Sequence, residues 1–149
     1  MKILVCIDGS PQSIKAVVKA VDIASGCRID QVTLISVYEK YPFPHVEHGY
    51  HDVLDEEIKQ YEFANKELIQ NHEKYLEHAA MRFREKNIEP EKILAEGNPA
   101  HTISETAEKG NFDMIIMGSR GRGGLKKLLL GSVSNAVIQE TEASVLVVK

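Results

Sequence analysis

The feature that most constrains the fold is an alternation along the chain. Five short runs rich in β-branched and apolar residues, at 2–7, 31–37, 92–96, 113–117 and 144–148, are separated by segments of helical periodicity or by loops that lead into one. Runs as continuously apolar as Met114-Ile115-Ile116-Met117 suit strands buried on both faces. Parallel neighbours need a crossover of a dozen or more residues, and right-handed crossovers place helices on both faces of the sheet. The expected fold is therefore α/β: a doubly wound, five-stranded parallel sheet of order 3-2-1-4-5 with helices on both faces. The 149 residues suit one domain, 1–149, with a substantial core.

Local signals mark the joints. Asp8-Gly9-Ser10-Pro11 follows the first run. Ser10 is a helix cap, and Pro11 suits the first helical position because its missing N–H would be unpaired there anyway. Ile14, Val17, Val18 and Val21 then recur at helical spacing and predict one apolar face, with Gly26 as the stop. Tyr41-Pro42-Phe43-Pro44 breaks the second strand, and the stretch through His51 reads as loop. A long, highly charged helix is predicted over 55–86, its inner stripe made by Ile58, Tyr61, Leu68, Tyr75, Leu76, Ala79 and Phe83. Asn98-Pro99 repeats the cap-then-proline start of a helix that ends at Gly110, and a short helix is predicted over 132–140.

Composition narrows the function classes. A net charge of −4 argues against general nucleic-acid binding. No apolar run is long enough to span a bilayer, and Met1-Lys2-Ile3-Leu4-Val5 leads straight into Asp8-Gly9-Ser10 without a signal-peptide pattern, so a cytoplasmic location is expected. Cys6 and Cys27 read as packing or boundary residues in a reducing compartment. Charge distribution says more than net charge. Between Met114 and Gln139 there is no acid, yet Arg120, Arg122, Lys126 and Lys127 fall there, among glycines.

That stretch runs Gly118-Ser119-Arg120-Gly121-Arg122-Gly123-Gly124 and reaches Gly131-Ser132-Val133-Ser134 at the start of a helix. Glycines let backbone adopt positive φ and approach a ligand closely, and successive N–H groups in such turns form anion nests. The first N–H groups of the helix are unpaired and carry the positive end of its dipole, and Ser132 and Ser134 would add hydroxyl donors. Phosphate oxygens need this combination of converging donors, little bulk and positive potential. The loop is neither a Walker loop nor the dinucleotide fingerprint, because Lys-Ser or Lys-Thr is absent and Lys126 stands at the third glycine place. If the order is 3-2-1-4-5, this loop and the Asp8 turn face one crevice at the switch point of the sheet.

Gly118-x2-Gly121-x9-Gly131-Ser132 resembles the ATP-binding signature of universal stress proteins. The resemblance extends over essentially the whole chain, through Asp8, the long second helix, Met117-Gly118-Ser119 and the closing Ala143-Ser144-Val145-Leu146-Val147-Val148. It implies ATP as ligand; Mg2+ or Mn2+ bridging the phosphates is a separate expectation, with Ser132 as the protein ligand candidate. The resemblance also implies Asp8 at the ribose or adenine side, Val37 touching the adenine through its backbone, and Met117 and Gly118 lining the nucleoside pocket. Gly121 and Arg122 would approach the phosphates, and Gly131, Ser132, Val133 and Ser134 would cradle them. A homodimer through the C-terminal strand, expected at the sheet edge, is implied as well.

Blander readings stand beside these. Asp8 could merely cap the first helix with Ser10, and the basic residues could be a solvated face. His45, His48 and His51 recur every third residue, but a metal site would need them to converge with a further ligand. Two function classes follow: a regulatory or stress-response module whose bound state is the signal, or a slow ATPase or phosphotransferase. Catalysis would need a base or water-positioning residue near the γ-phosphate, and no catalytic residue is identified. An adenylyl-transfer or flavoprotein relative would need signature residues that are absent. Valine at Gly118 or Gly131 is predicted to abolish ATP binding while sparing the fold.

Overall fold

The computed structural model describes residues 1–43, 51–121 and 130–149, with backbone alone for 51–54. The elements run β1 (Lys2–Cys6), α1 (Pro11–Gly26), β2 (Gln31–Tyr38), α2 (His51–Arg84), β3 (Glu91–Glu96), α3 (Pro99–Lys109), β4 (Met114–Gly118), α4 (Ser132–Glu140) and β5 (Ser144–Val148). The strands form one sheet of order β3-β2-β1-β4-β5, and every pairing is parallel. The α/β architecture and strand order are those expected.

Alternation along each strand feeds two cores. Ile3, Val5, Leu34 and Ile116 pack against α1 and α2 through Ala16, Val17, Ala20, Leu76, Ala80 and Phe83. Leu4, Cys6, Ile35, Val37, Ile115 and Met117 face the other way, toward Ala100, Ile103 and Ala107 of α3 and Val137 of α4. The two caps form as the local sequence dictates. Ser10 Oγ accepts from Ser13 N at 3.1 Å, and Asn98 Oδ1 from His101 N at 3.2 Å.

Three local expectations are corrected. Ile14 and Val18 are 56% and 50% exposed, because the face of α1 that meets the sheet is Ser13, Ala16, Val17, Ala20 and Val21. Small residues there let the helix axis come close to the strands, which turns the two larger side chains outward. The predicted loop through His51 ends earlier, since α2 already begins at His51. Positive φ is not what the described glycines after β4 supply: among the described residues only Gly9 (+76°) and Gly97 (+144°) are glycines with it. Cys6 is buried and Cys27 exposed, both as free thiols.

On the outer surface Arg84 near the end of α2 pairs with Glu77 and Glu89, and Lys92 of β3 pairs with Glu77. Hydrogen bonds from Lys92 and then Arg84 hold the Glu77 carboxyl down at about 2. This cluster clips α2 to β3 at the rim. Among the described residues, no helix is long and apolar enough to cross a membrane.

Candidate functional site

β1 pairs with β2 on one side and β4 on the other, so the sheet order reverses beside it. A crevice opens there beyond the carboxyl ends of the strands, as the topology requires. It holds a cavity of about 610 Å³ whose walls come from the β1 tip, the end of β2, α2, α3, and the segments flanking β4 and α4. Asp8, Val37, Met117, Gly118, Gly121, Gly131, Ser132, Val133 and Ser134 all line it, so the fold brings these sequence-predicted positions together. Arg122 lies outside the described residues, as do His45, His48 and the side chain of His51.

One end of the cavity is apolar. Ile35, Val37, Ile103 and Met117 contribute to it, with Pro99 opening α3. Cys6 also lines it; burial, and secondarily the charge of Asp8, push its thiol well above the usual range, which leaves it a neutral packing group. The backbone of Val37 has a definite direction. Ile35 O accepts from Ile7 N on the β1 side at 2.9 Å, and Tyr38 O accepts from Gly97 N on the β3 side. Alternate residues of a parallel strand address alternate neighbours, so Val37 turns its N–H and C=O toward β1. The ladder with β1 stops at the Cys6–Ile35 pair.

Asp8 sits half-buried at the β1 tip, where Oδ1 accepts from Ser10 N at 2.9 Å. That bond closes a local turn onto Ser10, whose own hydroxyl caps α1, while Asp8 Oδ2 stands toward Gly121 of the loop after β4. A side chain at Gly121 would place its Cβ 2.6 Å from that oxygen. Gly9 is glycine for two reasons: its φ is +76°, and a Cβ would stand 2.5 Å from the Tyr75 ring.

The other end is polar and drawn tight by backbone bonds. Ser119 N donates to Val148 O, and Gly131 N donates to Ser119 O, both at 2.7 Å, so the segments on either side of the basic stretch are pinned together. The Ser134 hydroxyl, expected to face a ligand, instead donates to Ser119 O (3.1 Å) and Gly131 O (3.0 Å). It is buried and has one proton, so it locks the loop to α4. Ser132, exposed at the first turn, lines the cavity. Gly131 caps α4 without any side-chain hydrogen bond. The opening N–H groups of that helix, with the positive end of its dipole, are therefore left to whatever enters the cavity. Arg120 lines the same end, and its Nε is buried without a hydrogen-bond partner. An orphaned guanidinium N–H is costly and is relieved by an anionic acceptor. Asp8 is the sole carboxylate among the described lining residues, and no cluster of three metal-ligating side chains occurs among the described residues.

The sequence reading missed His72 as a site residue. It is 5% exposed on α2 and contributes to the cavity wall. The signal was available: Leu68, His72, Tyr75, Leu76 and Ala79 share one helical stripe, and a histidine inside such a stripe is a buried polar group in need of partners.

The model of the Universal stress protein family matches residues 1–149. This chain belongs to the universal stress protein family. The universal stress protein YxiE of Bacillus subtilis is 34% identical over 155 residues, covering 99% of this chain and 98% of that protein. Among solved structures, that of MJ0577 from Methanocaldococcus jannaschii superposes with a TM-score of 0.78 at 26% identity, covering 99% of this chain and 94% of that one. A universal stress protein in complex with cAMP superposes with a TM-score of 0.64 at 27% identity, covering 100% and 97%.

Proposed function

We propose that this universal stress protein binds ATP in the switch-point crevice and acts as a nucleotide-dependent regulatory or stress-response module of the cytoplasm. The observation that carries this is a cavity of about 610 Å³ with an apolar slot at one end and, at the other, the uncapped start of α4 beside the partnerless Arg120 Nε. A flat apolar base and a polyanionic tail joined by a sugar match that polarity. The cAMP complex of a relative supports an adenine nucleotide as the ligand class.

In this reading the adenine lies in the slot against Met117 with its edge at the Val37 backbone, and Asp8 takes the ribose. Gly118 borders the nucleoside. Gly121 and Arg122 approach the phosphates, which Gly131, Ser132 and Val133 receive through main-chain N–H groups and the Ser132 hydroxyl. Ser134 serves them by holding the loop. Mg2+ or Mn2+ accompanying the triphosphate would take most of its oxygen ligands from phosphate and water, since the described lining residues there, Ser132 and Asn135, offer only neutral oxygen donors. β5, at the sheet edge, pairs with a second copy to form a homodimer. Hydrolysis is at most feeble in this reading, because the one carboxylate among the described lining residues, Asp8, is assigned to the nucleoside end and His72 is engaged with Ser36. A slow ATPase or phosphotransferase remains the second reading, and single-turnover phosphate release from bound ATP separates the two.

The test is mass spectrometry of the small molecule freed on denaturing freshly purified protein, with calorimetric titration by ATP. Adenine nucleotide is expected in the first. In the second, Arg120→Met should weaken binding by about 1.5–3 kcal/mol, the scale of a hydrogen bond to a charged group. No released nucleotide and no heat with ATP would defeat the reading.

A further inference from the structure

Ser36 is fully buried on β2, and its Oγ stands 2.6 Å from Ile7 O and 2.8 Å from His72 Nδ1. A hydroxyl has one proton to give. The carbonyl can only accept, so that proton lies between Ser36 and Ile7. The Ser36 oxygen must then accept from His72, which requires a proton on Nδ1. The rings of Tyr38 and Tyr75 flank His72 at 5.9 and 5.6 Å between centroids and hold its orientation.

The acceptor in this relay is the one that the sheet would otherwise use. In a regular parallel ladder a residue's N–H and C=O bond to two residues of the neighbouring strand that flank its partner. Ile7 N donates to Ile35 O as that pattern demands. Its carbonyl would next take the N–H of Val37, and it takes the Ser36 hydroxyl instead. The rung is replaced, β1 and β2 separate a residue early, and Val37, which lines the cavity, loses that ladder bond to β1.

We propose that Ser36, oriented by His72, is a positioning residue that keeps the Val37 N–H open for the edge of a bound base. This rests on the nucleotide-binding reading for the identity of the base, while the state of the amide is independent of it. Neither residue touches the ligand in this account. Their effect reaches it through the Ile7 carbonyl and the Val37 amide.

The experiment combines amide hydrogen exchange, histidine 15N NMR and ATP calorimetry on the full chain. In the nucleotide-free protein the Val37 amide exchanges rapidly, and Ser36→Ala protects it by letting the ladder close one rung further. His72 Nδ1 shows the shift of a protonated ring nitrogen. Ser36→Ala and His72→Leu weaken ATP binding by about tenfold, the scale of one hydrogen bond. His72→Asn, whose amide N–H can stand in for Nδ1–H, retains most of the affinity. A Val37 amide equally protected in wild type and Ser36→Ala overturns the proposal, as does an unprotonated Nδ1, or unchanged ATP affinity in Ser36→Ala. If wild type fails to bind ATP at all, the functional reading falls, and exchange at Val37 still decides this one.

Discussion

At Gly118 a Cβ would lie 2.7 Å from the Gln12 carbonyl carbon and 2.9 Å from Ser13 N, in the backbone of the first turn of α1. At Gly131 the nearest atom is Arg120 Cα at 3.3 Å, and the φ of −74° suits any residue. The two glycines of one motif therefore do different work. Valine at Gly118 pushes a helix off the sheet and should destabilise by about 1–3 kcal/mol, read from the urea midpoint, so the expectation that it spares the fold is withdrawn. Gly131→Ala should stay within about 1 kcal/mol of wild type in the same assay while lowering ATP affinity in calorimetry. The motif was legible because spacing survives in a linear string. What each glycine avoids was not, since Gln12 and Asp8 come to the loop only through the fold. The same holds for Ser134, whose residue type promised a donor and whose neighbours claimed it.

Among the elements, α2 has the largest share in holding the cavity's β2 side. Over its 34 residues it places Leu76, Ala79, Ala80 and Phe83 in the core and lays His72 and Tyr75 against the tips of the strands. Phe83 is completely buried. Phe83→Ala should cost about 3–5 kcal/mol in urea unfolding, the range for removing a large buried ring. A cost under about 1 kcal/mol would mean that α2 is not anchored there. The existence and order of the described elements could be read from period and caps, because strand runs and helical stripes differ in repeat. Which stripe of α1 faces inward could not. Ile14 and Val18 are more apolar than Ala16 and Ala20, and only the close approach of helix to sheet gives the small residues the inner place.

For the whole molecule, the exposed cluster of Glu77, Arg84, Glu89 and Lys92 makes stability depend on acid. Folding lowers the Glu77 pKa from its ordinary 4.5 to about 2, so below 4.5 the unfolded chain takes up a proton that the folded chain still refuses. The contribution is present above 4.5 and is lost as pH falls toward about 2. Urea midpoints across that window should drop less steeply for Glu77→Gln than for wild type, and the difference should shrink in high salt because the group is exposed. Identical slopes would mean that the clip contributes nothing to the balance.

The cavity is walled by the first strand's tip on one side and by α4, the last helix, on the other. A chain emerging from the ribosome thus displays one wall of the cavity well before the other. Capture of the proposed nucleotide would have to await the docking of α4, so occupancy would report that the β1 tip and α4 have come together.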